Sequence, residues 1–120
     1  MNLSLIFISI LTFFQTPSIE GAWMSERDPK LTWEFNSSGQ LIEKYGDILK
    51  ASPRTPSTYQ ILNSSQSCSN LVSDAPNQTY LKIINPELGS FCYYLETLSD
   101  EFLVIINTDT GRMLIFNRVI

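Results

Sequence analysis

Short apolar segments separated by turn residues constrain the fold of this chain more than any other feature. Within these segments apolar and polar side chains tend to alternate with a period of two, and no window shows sustained helical periodicity with caps. The pattern therefore predicts strands and no helix. Eight strands are predicted, at Ile19–Glu26, Leu31–Phe35, Gln40–Tyr45, Ser57–Leu62, Thr79–Ile84, Phe91–Leu98, Glu101–Ile106 and Arg112–Val119.

The connections between these predicted strands favour an antiparallel meander. Asn36-Ser37-Ser38-Gly39 is typical of a tight hairpin turn, and the prolines of Lys50–Pro56 indicate a linker. A meander must hide its edge strands, and closing into a barrel does so. We predict one all-β domain over residues 19–120, an eight-stranded antiparallel up-and-down barrel. A two-sheet sandwich is the alternative.

The N-terminal segment predicts export. Leu3 to Phe14 is almost entirely apolar and too short to span a bilayer, and the polar residues Gln15 to Ser18 follow it. This is typical of a signal peptide over residues 1–18, although no Lys or Arg precedes the apolar run. The alternative is a buried N-terminal strand or helix. No cysteine lies near its end, so we expect no lipid anchor and a secreted or periplasmic location.

Two cysteines, Cys68 and Cys92, are present in the whole chain. An even count in an exported protein predicts one disulfide, and the alternative is a pair of unbonded buried thiols. The chain contains no histidine, which excludes Ser–His and Cys–His nucleophile pairs and histidine metal sites. We therefore predict no enzyme activity, no metal and no cofactor. A net charge of −4 without basic runs also argues against binding nucleic acid.

Gly21-Ala22-Trp23 at the start of the first predicted strand, followed by a meander of about eight strands, resembles the lipocalin superfamily. The closer similarity is to short lipocalin-like domains of exported bacterial proteins. Arg118, at the end of the last strand, resembles the basic residue that covers the tryptophan of that family. The resemblance implies that Gly21, Trp23 and Arg118 close one end of the barrel, where a guanidinium stacks on an indole.

Aromatic residues supply the candidate binding site. Strand alternation places Trp33 and Phe35 on one face and directs Tyr93 and Tyr94 to opposite faces. Candidate ligand-contacting residues are Trp33, Phe35, Tyr45, Tyr59 and Tyr93. Ordinary core packing is the alternative for each of them, as it is for Tyr80.

Three functional hypotheses follow from these residues. The first is a non-enzymatic barrel that binds a small apolar ligand at its open end. The second is a protein-interaction module, for example an inhibitor, whose contact surface is the polar segment Asn63 to Asn77. The third is a hydrolase that uses Glu34, Glu43 or Glu96, although nothing in their spacing brings a pair together.

Overall fold

The computed structural model describes residues 17–46, 48–49, 56–63, 68 and 78–119. The predicted signal peptide therefore lies outside the described residues, apart from Pro17 and Ser18. The described part forms strands joined by turns: β1 Gly21–Ser25, β2 Leu31–Phe35, β3 Gln40–Tyr45, β4 Ile48–Leu49, β5 Ser57–Leu62, β6 Tyr80–Asn85, β7 Gly89–Leu98, β8 Phe102–Asn107 and β9 Met113–Arg118.

The structure confirms the predicted fold class, a closed eight-stranded antiparallel up-and-down barrel. The strand order is β2-β1-β9-β8-β7-β6-β5-β3-β4, and an additional β2–β3 pairing closes the ring. The two-residue β4, which the sequence did not indicate, pairs with the end of β3 through Lys44↔Leu49 and Tyr45↔Ile48. It lies beside the ring, because β5 pairs only with the beginning of β3, at Gln40 and Leu41.

The barrel interior is filled by side chains that alternate along each strand. Trp23, Phe35, Leu81, Leu103, Ile105 and Phe116 have at most 1% of their surface exposed, and they form one cluster with their neighbours. Burial of this apolar surface supplies the main favourable free energy of folding. We call the end of the barrel at Trp23 the closed end. The open end is the opposite one, where residues 86–88 and 108–112 turn the chain.

Arg118 and Trp23 seal the closed end. Cζ of Arg118 lies 4.1 Å from the ring centroid of Trp23, which is fully buried and donates its indole N–H to the Ile19 carbonyl at 2.8 Å. The guanidinium donates to the carbonyls of Ser18 (2.8 Å), Glu20 (3.0 Å), Ser99 (3.4 Å) and Asp100 (2.9 Å). One side chain thus joins β9 to the segment before β1 and to the turn between β7 and β8.

Gly21 allows this approach. Its φ of +122° is a conformation that other residues rarely adopt. A Cβ at this position would also lie 3.1 Å from an Arg118 Nη1 atom. Gly21 therefore makes room for the guanidinium that covers Trp23.

Cys68 and Cys92 form a disulfide, with their Cα atoms 5.8 Å apart. Cys92 is on the outer face of β7, because the adjacent Tyr93 points into the barrel. Cys68 is 4% exposed, so the bond holds it against the outer wall. On the same face the fully buried Tyr80 packs on Tyr94, with ring centroids 5.4 Å apart.

Replacing Arg118 should weaken the closed end. We expect Arg118→Lys to lower the free energy of unfolding by about 1.5–3 kcal/mol, because an ammonium cannot reproduce the planar set of hydrogen bonds. Urea unfolding measures the change. Arg112→Lys is the matched control, since Arg112 donates no side-chain hydrogen bond to the described residues and should unfold like the wild type.

Removing the disulfide should lower the free energy of unfolding, because the unfolded chain gains conformational freedom. The cysteines are 24 residues apart in sequence, so reduction releases a loop whose closure is worth about 3 kcal/mol. We expect the urea midpoint of a Cys68→Ser/Cys92→Ser variant to match that of the wild type in excess reductant. Equal midpoints for oxidised and reduced wild type would contradict this prediction.

Candidate functional site

A cavity of about 200 Å³ lies inside the open half of the barrel. Its walls come from β2, β3, β5, β6 and β7 together with the β6–β7 turn. The lining combines large apolar side chains with a carboxylate, a hydroxyl, an amide and a phenol: Trp33, Leu41, Glu43, Ser57, Ile83, Asn85, Leu88, Phe91 and Tyr93. Concave sites with apolar walls and a few polar groups are typical of small-molecule binding sites.

Trp33 forms the wall between this cavity and the core of the closed half. Its ring lies 4.7 Å from that of Phe116 and 6.1 Å from that of Phe35, measured between centroids, and only 6% of its surface is exposed. These neighbours restrict the rotation of the indole. The cavity therefore has a wall whose position is set by core packing.

The Trp33 indole N–H donates to Oε2 of Glu43 at 2.6 Å. The two residues are direct cross-strand partners in the β2–β3 hairpin, and both point inward. A hydrogen bond to an ionised acceptor is stronger than one between neutral groups. It orients the carboxylate within the cavity.

Asn85 organises the opposite rim. Its side-chain N–H donates to Oγ of Ser57 at 3.1 Å, and its Oδ1 accepts the backbone N–H groups of Glu87 and Leu88, each at 2.9 Å. This amide holds the β6–β7 turn in place over the cavity. Leu88 and Phe91, which are 71% and 39% exposed, give the mouth an apolar edge.

Tyr93 lies between this cavity and a second one of about 240 Å³, which Asn107, Thr110, Arg112 and Leu114 also line. Burial raises the pKa of the Tyr93 phenol above its usual value, and the negative charge of Glu43 raises it further. Hydrogen bonding with the Asn107 side chain lowers the pKa in part. Tyr93 therefore remains a neutral hydroxyl that can donate or accept a hydrogen bond.

The five candidate ligand-contacting residues lie in three different parts of the barrel. Trp33 and Tyr93 line the cavity, with ring centroids 6.3 Å apart. Phe35 and Tyr59 pack on each other in the closed half, 4.9 Å apart, and the Tyr59 hydroxyl donates to the Asn36 carbonyl at 2.8 Å. Tyr45 is 40% exposed at the end of β3 and does not line the cavity.

Sequence reasoning missed most of the remaining lining residues: Leu41, Ser57, Ile83, Asn85, Leu88 and Phe91. The sequence suggests Glu43 only as a candidate catalytic carboxylate of the hydrolase hypothesis. The signal for Glu43 was present, because the Asn36–Gly39 turn pairs it with Trp33. No comparable local pattern connects Asn85 to Ser57, since their contact joins separate strands.

The three carboxylates of the hydrolase hypothesis do not converge. Glu43 points into the cavity, whereas Glu34 alternates with the inward-facing Trp33 and Phe35 and so faces outward. Glu96 is exposed on β7. Glu43 is the one carboxylate among the described residues that line this cavity.

The segment proposed for a protein partner, Asn63 to Asn77, lies outside the described residues except for Asn63 and Cys68. That hypothesis stays a prediction. The described residues contain no helix with the length and apolarity that crossing a membrane requires. Comparison of the chain with protein-family models, curated proteins and solved structures finds no match.

The raised pKa of Tyr93 predicts a loss of stability in alkali. Because the folded chain holds the phenolic proton more tightly than the unfolded chain, this contribution is complete below about pH 10 and is lost as pH rises through the folded pKa. We expect Tyr93→Phe to flatten the decline in unfolding free energy above about pH 10. Urea unfolding at each pH measures the slope.

Tyr59 contributes to the same decline, because burial and then the charge of Glu20 raise its pKa. Tyr59→Phe should therefore make the free energy of unfolding fall still less steeply as the pH rises. Tyr94→Phe, on the outer face, is the control. An unchanged slope in the Tyr59→Phe/Tyr93→Phe double variant would contradict the assignment.

Proposed function

We propose that this protein is an exported lipocalin-like barrel that binds a small, largely apolar molecule in the cavity at its open end. The observation that carries the proposal is the cavity itself, whose apolar walls surround a few convergent polar groups. Binding a ligand supplies a reason for the cavity.

The cavity volume limits the ligand to one ring or two small fused rings. A cavity of about 150 Å³ in another protein is enough to hold benzene, whereas drug-sized ligands need about 300 Å³ or more. At about 200 Å³ this cavity suits a single ring with a short polar arm, or a compact fused pair of rings such as indole. The apolar rim at Leu88 and Phe91 would contact the part of the ligand nearest the solvent.

The construction of the barrel supports binding at this end. Arg118 and Trp23 seal the other end, and the positions of Gly21, Trp23 and Arg118 are those that suggested the lipocalin resemblance. The disulfide is compatible with export to an oxidising compartment. The proposed role is binding without catalysis, since Glu43 is the one carboxylate among the described residues that line the cavity and has no second carboxylate to pair with.

Blocking the cavity tests this proposal. Indole is the probe, added to the purified protein and followed by two-dimensional NMR, while native mass spectrometry reveals any molecule that co-purifies. We expect indole to shift the amide signals of Ser57, Asn85 and Leu88. Ile83→Trp should abolish these shifts, because Ile83 is 5% exposed and lines the cavity.

Ile84→Trp is the matched control, because Ile84 is the neighbouring residue on the outer face of β6. This variant should bind indole as the wild type does. Thermal unfolding of both variants shows whether the barrel survives the larger side chain. Absence of indole binding to the wild type, together with no co-purified molecule, would contradict the proposed function.

A further inference from the structure

Only one oxygen of the Glu43 carboxylate has a hydrogen-bond partner among the described residues. Oε2 accepts the Trp33 indole N–H, whereas Oε1 has no such partner there. No Lys or Arg is among the described residues that line the cavity. Arg112 lines the neighbouring cavity, which Tyr93 also lines. A carboxylate among apolar walls is costly to desolvate unless a partner or water compensates it.

Three aromatic rings surround the same space. Trp33, Phe91 and Tyr93 line the cavity, and Trp33 and Tyr93 meet edge to face at 72°. The face of an aromatic ring carries partial negative charge and attracts cations, which is how aromatic cages recognise ammonium groups. A cation that contacts a ring face in this cavity would be attracted by the ring as well as by the Glu43 carboxylate.

Hydrogen-bond acceptors are also available for such a group. A primary ammonium donates three hydrogen bonds and accepts none. Glu43, Ser57 and Tyr93 each carry an oxygen that can accept, whereas the oxygen of Asn85 is already occupied by the two N–H groups of the β6–β7 turn. An anionic ligand would be repelled by Glu43, and no Lys or Arg among the described lining residues would offset that charge.

We propose that the ligand is a small organic amine, whose ammonium group binds to Glu43 among the rings of Trp33, Phe91 and Tyr93 and whose single ring fills the apolar part of the cavity. This inference rests on the proposed function and specifies the chemical class of its ligand. The net charge of −4 on the chain also favours a cationic ligand, since it raises the local concentration of cations.

A matched set of three probes tests the inference. Phenethylamine, phenethyl alcohol and 3-phenylpropanoate have similar size and differ in charge at neutral pH. Isothermal titration calorimetry at low salt, supported by NMR, measures each affinity. We expect the amine to bind about ten-fold or more tightly than the alcohol, as a hydrogen bond to a charged group implies. The carboxylate should bind most weakly.

The variants locate the effect. Glu43→Gln keeps an oxygen that can accept the Trp33 N–H but removes the charge, so the advantage of amine over alcohol should fall to about two-fold or less. Glu34→Gln removes the same charge from the outer face of the neighbouring strand β2 and should keep the wild-type preference. The ranking of the three probes on the wild type stands as a test even if Glu43→Gln fails to fold.

The outcomes separate the two proposals. Equal binding of amine and alcohol, or preferred binding of the carboxylate, overturns the amine inference and leaves cavity binding intact. The same amine preference in the wild type and in Glu43→Gln also overturns it. A wild type that binds none of the three probes, nor indole, contradicts the proposed function and the amine inference together.

Discussion

At the closed end, a single guanidinium holds together parts of the chain that are almost as far apart in sequence as they can be. Arg118 on β9 donates to the carbonyls of Ser18 and Glu20, just before β1, and to those of Ser99 and Asp100 in the turn between β7 and β8. These carbonyls lie outside the strand ladders and need donors. Because β1 and β9 are the first and last strands, pairing them closes the ring and removes the exposed sheet edges.

The sealed end and the open end of the barrel differ in how their interiors are packed. Trp23, Phe35, Tyr59 and Phe116 belong to the packed core of the closed half, and the Trp33 ring lies against those of Phe35 and Phe116 where this core ends. Beyond it the inward positions hold Glu43, Ser57 and Asn85, which are smaller or polar and leave space. A small barrel has room for side chains or for one small ligand. Here side chains fill the closed half of the interior, whereas the open half contains the cavity.

Local patterns predicted the strands well where turn chemistry bounded them. The hairpin around Gly39 and the strands β2, β3 and β5 have the predicted limits. The strand β4 was missed because two residues are too few to show alternation. The residues that line the cavity were harder to predict. Trp33 and Phe35 share a face, as alternation requires, but they lie at different depths, so that Trp33 lines the cavity and Phe35 lies in the core.

The sequence alone determined which residues form strands, which faces they present and that one end carries a glycine, a tryptophan and an arginine. Those properties follow from a period of two and from turn chemistry, both of which act over a few residues. Only the tertiary structure decided which side chains surround the cavity. Depth along the barrel depends on strand tilt and stagger, which no single strand encodes. Asn85 thus meets Ser57 because β5 and β6 pair, and Tyr93 lies near Glu43 because β7 and β3 belong to one closed ring.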